Sequence, residues 1–286
     1  MQVTEGPFGP ARLREQIPAG TVEAMYRRKC DATVDFSALA VETLDLYECE
    51  RTGTRFWRPE RLAGDEAFYQ QLSRKWPNYY HDWRWEYGPA LKQLRPTDRL
   101  LEVGCGRGTF LRHTQGRVRE AAGLELNREA IADKVTDWPV LCMDIASLAA
   151  AKPASYDVVC SYQVLEHVVD PAGFLRDCLA CLRPGGRLIV STPDPENDIL
   201  RAREDAFDLP PHHMNHFTLD SYRRIAELLG VRLLNVARAP VDPWGTRPPG
   251  TRSTDGLKAT WRRNARNLVN RMRGKRGPTL MVTLGA

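Results

Sequence analysis

Three glycines at alternate positions, Gly104, Gly106 and Gly108, follow an apolar run that ends in an acid, Leu100-Leu101-Glu102-Val103. A strand that stops and turns on glycines brings backbone N–H groups and a helix N-terminus up to a ligand with no Cβ in the way. The spacing is G-x-G-x-G, with Thr109 where a dinucleotide fingerprint places its third glycine. Glu102 is awkward beside a pyrophosphate and suits a ligand carrying an ammonium. Carboxylates also end the next two apolar runs. Glu125 is placed to accept hydrogen bonds from a ribose diol, and Asp144 to accept one from an exocyclic amine. For proton transfer near neutral pH the chain offers His167 and the loop Pro210–Thr218, which holds His212, His213 and His216. His167, His213 and His216 are the candidate bases. Each has an ordinary alternative as a loop histidine bonded to backbone or capping a helix.

These residues need a scaffold, and from Leu100 onward the pattern alternates strand and helix as in a parallel α/β sheet. Strands are expected at Leu100–Val103, Glu120–Glu125, Val140–Met143, Asp157–Ser161, Arg187–Ser191, Val231–Val236 and Thr279–Leu284. Helices are expected from about Thr109, Arg128 and Asp170-Pro171, and over Ser221–Leu229. The glycines, the strand-end acids and His167 then fall at the carboxyl ends of strands, and the histidine loop, between Arg187–Ser191 and the next helix, falls at the same carboxyl edge, where α/β sites form. Ahead of this domain, 1–29 reads as a poorly ordered lead-in and 30–63 as a small strand-rich module. Residues 64–94 read as an aromatic helical cover, in which Tyr80 and Trp85, together with His212, are candidates to line a bound ligand. The domain proper is expected over 95–286, with a basic helical insertion at 251–276.

Ammonium, ribose diol and adenine amine are the three polar handles of S-adenosylmethionine. In this combination the sequence resembles the class I S-adenosylmethionine-dependent methyltransferases of the type 11/type 23 group, akin to quinone-ring O-methyltransferases. The resemblance runs from about Leu94 to Val236. It rests on Leu101–Gly108, Gly123-Leu124-Glu125-Leu126-Asn127, Asp144-Ile145, Tyr156-Asp157-Val158-Val159, Val164-Leu165-Glu166-His167-Val168 and Leu182–Arg187. It implies a Rossmann-like, seven-stranded, mostly parallel sheet with an antiparallel last strand and helices on both faces. It also implies S-adenosylmethionine as cofactor. Glu102, Gly104, Cys105, Gly106 and Gly108 would hold its methionine end, Glu125 and Leu126 its ribose, and Asp144 and Ile145 its adenine, while Ser161, Tyr162 and Gln163 would line the wall near the sulfonium. Some quinone-type relatives hold a divalent metal on a Glu-x-x-Glu-His run. The matching positions here are Gln163, Glu166 and His167, and an amide is a weaker ligand than a carboxylate, so no metal is expected.

Composition narrows the partners. The seven cysteines fall mostly in apolar patterns, as free thiols in a reducing compartment do, and no apolar run is long enough to span a membrane. A cytoplasmic protein is expected. Cys30 and Cys49 lack the second half of a zinc set, with Thr33 and Thr52 at the positions their partners would occupy. The net charge of +5 is concentrated between Thr251 and Arg276, which hold nine Lys or Arg against one Asp. Residues 257–273 form an amphipathic pattern that could meet an anionic surface or partner, although a helix packed on the domain with solvated arginines is favoured. No nucleic-acid recognition pattern accompanies that charge. The expected function is methyl transfer to O or N of a small-molecule, sugar or lipid-linked acceptor. The alternatives are an RNA or protein methyltransferase using the basic helix, and a cofactor-binding scaffold without turnover.

Overall fold

The computed structural model describes residues 3–75, 81–196, 206–240 and 277–285. The basic segment 251–276 and Tyr80 lie outside them. In chain order the strands are β1 (Val3–Gly6), β2 (Gly9–Pro18), β3 (Thr43–Cys49), β4 (Arg55–Arg58), β5 (Arg99–Val103), β6 (Glu120–Leu124), β7 (Val140–Leu141), β8 (Tyr156–Tyr162), β9 (Leu182–Pro193), β10 (Asn215–His216), β11 (Arg232–Arg238) and β12 (Thr279–Gly285). The helices are α1 (Ala19–Cys30), α2 (Glu66–Lys75), α3 (Tyr87–Leu91), α4 (Thr109–Thr114), α5 (Arg128–Ala132), α6 (Ile145–Ala151), α7 (Pro171–Ala180) and α8 (Leu219–Leu228).

The main sheet has the order β11-β12-β9-β8-β5-β6-β7. Strands β7, β6, β5, β8 and β9 run parallel, and β12 inserts antiparallel between β9 and β11. This is the expected seven-stranded Rossmann-like architecture. Its central strands are covered on both faces, so Leu100, Leu101, Val158, Val159, Leu188, Ile189 and Val190 are fully buried and read as continuous apolar runs. Polar N-caps start the helices facing the carboxyl edge: Asn127 accepts from Glu129 and Ala130, and Asp144 accepts from Ser147. Thr218 and Ser221 form a reciprocal capping box on α8.

The beginning of the chain departs from the sequence expectation. Residues 1–29 were expected to be poorly ordered, yet β1, β2 and α1 occupy most of that stretch. The reason is that β2 buries only Ala11 fully, so no apolar alternation announces it; its place is set by long-range pairing with β3, from Ala11 opposite Cys49 to Pro18 opposite Thr43. Likewise α1 buries only Ala19, Val22, Tyr26 and Cys30. Together with β3, β4 and the short β10 these strands make an antiparallel five-stranded sheet, β1-β2-β3-β4-β10. Strand β10 comes from the histidine loop, with Asn215 opposite Phe56 and His216 opposite Arg55. The cores also merge: Phe8, Tyr47 and Phe56 belong to the same apolar cluster as Leu101, Val159, Phe217 and Tyr222.

At the amino edge of the main sheet, the Asp98 carboxylate accepts hydrogen bonds from the Arg95 backbone N–H at 2.8 Å and from Arg187 Nη2 on β9 at 2.5 Å. Both side chains of this pair are largely buried.

Candidate functional site

Sheet order sets out the predicted acids along the carboxyl edge. Asp144 follows β7, Glu125 follows β6, Glu102 and the glycines close β5, and Gln163 to His167 follow β8. They open on one cavity of about 610 Å³, within the range of small-molecule sites. Glu102, Gly104, Cys105, Gly106, Glu125 and Leu126 line it. So do Asp144, Ile145, Tyr162, Gln163 and His167.

The glycine turn is sterically required. Gly104, Gly106 and Gly108 have φ of +72°, +54° and +75°, the left-handed region that favours glycine. A Cβ on Gly104 would lie 2.5 Å from Val164 Cγ2, and one on Gly108 would lie 2.5 Å from Thr136 Cγ2. Gly108 therefore serves the turn as the residue before α4 and packs behind the cavity instead of lining it. Gly104→Ala must accept both the positive φ and a clash with a stiff β-branched side chain. A loss of about 2–3 kcal/mol is expected, seen as a lower urea midpoint with unchanged m-value.

The acids differ in how they are satisfied. Glu125 holds the turn together: Oε2 accepts the Gly106 N–H at 2.8 Å, and Oε1 accepts those of Leu126 and Asn127, each at 2.8 Å. Asp144 accepts the Ser147 N–H at 2.7 Å, and this bond draws its carboxyl below the usual range. Glu102 is 3% exposed and its Oε2 has no hydrogen-bond partner. Burial pushes its carboxyl well above the ordinary value, with the Arg84 charge acting against that shift and Glu125 adding to it. A buried carboxylate oxygen without a donor, on a residue that lines a cavity, is a strong hydrogen-bond acceptor.

On the β8 side, Gln163 sits at φ +57° and its amide donates to Glu86 Oε1 at 3.2 Å and Ser191 Oγ at 3.3 Å. Ser161 is not at the site: its hydroxyl donates to the Val103 carbonyl at 3.0 Å, inside the sheet. Trp85 is not a ligand wall either. It lies in the apolar cluster with Leu100 and Phe110, because a large indole beside a short helix is drawn into the nearest core. The cover is instead formed by Tyr69 of α2 with His81, Arg84 and Tyr87, none of which the sequence singled out as a ligand. Arg84 acts electrostatically on Glu86, Glu102, Glu166 and His167 alike. The aromatic stretch also carries Arg74, Lys75 and Lys92, so no sequence signal set Arg84 apart.

The histidines divide. His167 lines the cavity, and its Nδ1 donates to the His212 carbonyl while lying 3.2 Å from the Tyr69 hydroxyl. Burial pushes its pKa down to about 3, so it stays neutral. His212, His213 and His216 lie off the cavity wall, which corrects their expected roles. His212 Nδ1 bonds the Phe207 carbonyl at 3.0 Å, and His213 Nδ1 bonds Asp208 Oδ1 at 3.2 Å. His216 Nε2 bonds the Asp208 carbonyl at 3.0 Å. Burial opposes protonation of His216, but the negative charge of Asp208 outweighs it and raises the pKa. One nitrogen of each of His167, His212 and His213 comes within 4.8 Å of the others, a convergence that spacing in the sequence did not reveal.

Residues 71–236 match the family described as methyltransferase domain. A ubiquinone biosynthesis O-methyltransferase of Idiomarina loihiensis is 34% identical over 103 residues, 33% of this chain and 42% of the relative, so less than half of that relative's length is spanned. One from Xanthomonas campestris is 30% identical over 178 residues, 55% of this chain and 72% of the relative. Among solved structures, a SAM-dependent methyltransferase from Archaeoglobus fulgidus aligns at a TM-score of 0.50 and 20% identity, covering 79% of this chain and 97% of that one. With its family match extending from α2 to β11 over the strands and turns that carry the cavity, the chain belongs to the S-adenosylmethionine-dependent methyltransferase domain family.

Proposed function

We propose that the chain transfers a methyl group from S-adenosylmethionine to an oxygen of a small acceptor entering on the β8 side of the cavity. The observation that carries the reading is the unpartnered Oε2 of buried Glu102, in a cavity shared with a glycine turn, Glu125 and Asp144. An ammonium brought to Glu102 recovers the cost of its burial. By their order along the sheet edge, Glu102 takes the amino-acid end. Gly104, Cys105 and Gly106 give it close backbone approach, and Glu125 and Leu126 serve the ribose. Asp144 and Ile145 serve the adenine. Tyr162 and Gln163 face the sulfonium, which supplies an electrophilic methyl group for in-line displacement.

Oxygen is favoured by relatives named for O-methylation. The state of His167 then narrows the acceptor. An imidazole held neutral down to about pH 3 is a poor base for an alcohol, so a hydroxyl that is already acidic, such as a phenol, asks least of this site. Incubation with methyl-labelled cofactor and a panel of phenols, sugar alcohols and amines tests this by mass-shifted product. Turnover of phenols at least about tenfold above the other classes is expected. Faster transfer to amines would overturn the oxygen assignment, and cofactor binding with no product in any class would leave a binding scaffold.

A further inference from the structure

Behind the β8 end of the cavity lies a buried carboxylate that the cofactor assignment leaves without a role. Glu86, the residue before α3, is 3% exposed, and its Oε1 meets Gln163 Nε2 at 3.2 Å and Ser191 Oγ at 3.4 Å. Those two side chains also face each other at 3.3 Å, and Ser191 is fully buried. Burial raises the Glu86 carboxyl, while the Arg84 charge and the hydrogen bonds from Ser191 and Gln163 work against that shift and favour the ionised form.

This triangle decides which way the Gln163 amide is turned. An ionised carboxylate only accepts, and a serine hydroxyl has a single proton to give. With that proton directed to Glu86, both neighbours present acceptors to the end of Gln163, so the group facing them has to be the NH₂. The amide oxygen then points away from them. Gln163 lines the cavity, and among the described residues its Oε1 receives no hydrogen bond. The backbone is held as well. The Gln163 N–H donates to the Ser191 carbonyl at 2.9 Å, and φ is +57°, a conformation uncommon for any residue but glycine.

We propose that Glu86 is a positioning residue: through the Gln163 amide it presents an oxygen, and not an NH₂, to the sulfonium of the cofactor, and so lets the cavity distinguish charged S-adenosylmethionine from its neutral demethylated product. This role rests on the placing of the sulfonium beside Gln163. A carbonyl dipole with its negative end toward a cation is attractive and the reversed amide is repulsive, and a buried setting strengthens both. The thioether of S-adenosylhomocysteine carries no charge and has no such preference. In Glu86→Gln the obligate acceptor is gone: the new NH₂ can donate to Gln163 Oε1, and the Gln163 amide is free to turn.

Calorimetric titration of the full chain with S-adenosylmethionine and with S-adenosylhomocysteine tests this without turnover. In Glu86→Gln the ratio of the two dissociation constants is expected to move about tenfold against S-adenosylmethionine, while S-adenosylhomocysteine affinity changes by less than about threefold. Gln163→Met, which keeps the length but has no amide dipole, should move the ratio in the same direction. Adding Glu86→Gln to Gln163→Met should then move it no further, because Glu86 acts through the amide. An equal further shift in the double variant would show the carboxylate acting on the cofactor directly and would overturn the role. So would an unchanged ratio in Glu86→Gln, including equal weakening of both compounds, and either result would leave the cofactor assignment intact. A wild-type chain that binds neither compound would overturn the assignment and the role together. Ser191→Ala removes the hydroxyl from the triangle and gives a second measure where Glu86→Gln does not fold. A ratio unchanged within about twofold in both Ser191→Ala and Gln163→Met would sink the role.

Discussion

Glu102→Gln is expected to weaken S-adenosylmethionine binding on the order of 100-fold to 1,000-fold, as removing one partner of a buried charge pair does. The same substitution is expected to stabilise the cofactor-free protein, because an amide has no charge to bury and its N–H₂ can face the cavity. The two effects have opposite signs, which separates a binding role from a general disturbance of the fold. The pH dependence follows from the direction of the shift. The Glu102 carboxyl is raised above its unfolded value of 4.5, so the stability it contributes is full below about that pH and is lost as pH rises through the folded value. The melting temperature of the cofactor-free wild type should therefore fall relative to Glu102→Gln as pH rises above 4.5, and saturating cofactor should narrow that gap. Calorimetric titration and thermal melts over a pH series measure both. Equal cofactor affinity in wild type and Glu102→Gln would sink the ammonium assignment.

Asp98→Ala is expected to cost about 3–5 kcal/mol of stability, because it leaves the mostly buried Arg187 without its counter-charge. It also removes the acceptor for the Arg95 N–H. For a chain of this size the melting temperature should drop by roughly 10 °C. The pair joins the start of β5 to β9 at the amino edge, across the sheet from the cavity, so the surviving folded protein should bind cofactor with unchanged affinity. Binding lost in proportion to stability would show that the two edges are coupled. Replacing both residues with apolar side chains of similar volume should restore much of the loss.

The main sheet and its turn residues were legible because each level of the pattern agreed. Leu100, Leu101 and Val103 are apolar and buried, Glu102 interrupts them one residue before the strand ends, and the glycines occupy positions where φ is positive. The strand-end acids followed from the same logic, since sheet order brings successive strand ends together on one edge. What was hidden has a common cause: it depends on pairing between segments distant in the chain. Strand β2 buries one residue fully and is defined by β3. His212 and His213 looked like acceptor-side groups from their loop, but β10 hydrogen-bonds that loop to β4 and turns both rings inward. Arg84 carried no periodic signal, and its influence arises only where β5 and β8 end beside it. Ser161 was misplaced by one pleat, because in a strand the neighbouring side chain points to the other face. Tyr162 lines the cavity and Ser161 bonds within the sheet.

The short β10 has a consequence for how the protein is made. Strand β4 leaves the ribosome long before Asn215 and His216 exist, so its outer edge stays open while β5 to β9 are being synthesised. Open edges template wrong pairings, so β4 is exposed to mispairing until Asn215 and His216 have been made. The loop faces the converse problem. It is tied on one side to β4 and on the other to the β8–α7 connection, through the Asn215 side-chain amide on the Val168 carbonyl at 2.7 Å and the Met214 N–H on the Glu166 carbonyl at 2.7 Å. Neither half can be grafted onto another scaffold alone, and a gene fusion that breaks the chain between them must restore both sets of bonds to recover the histidine loop.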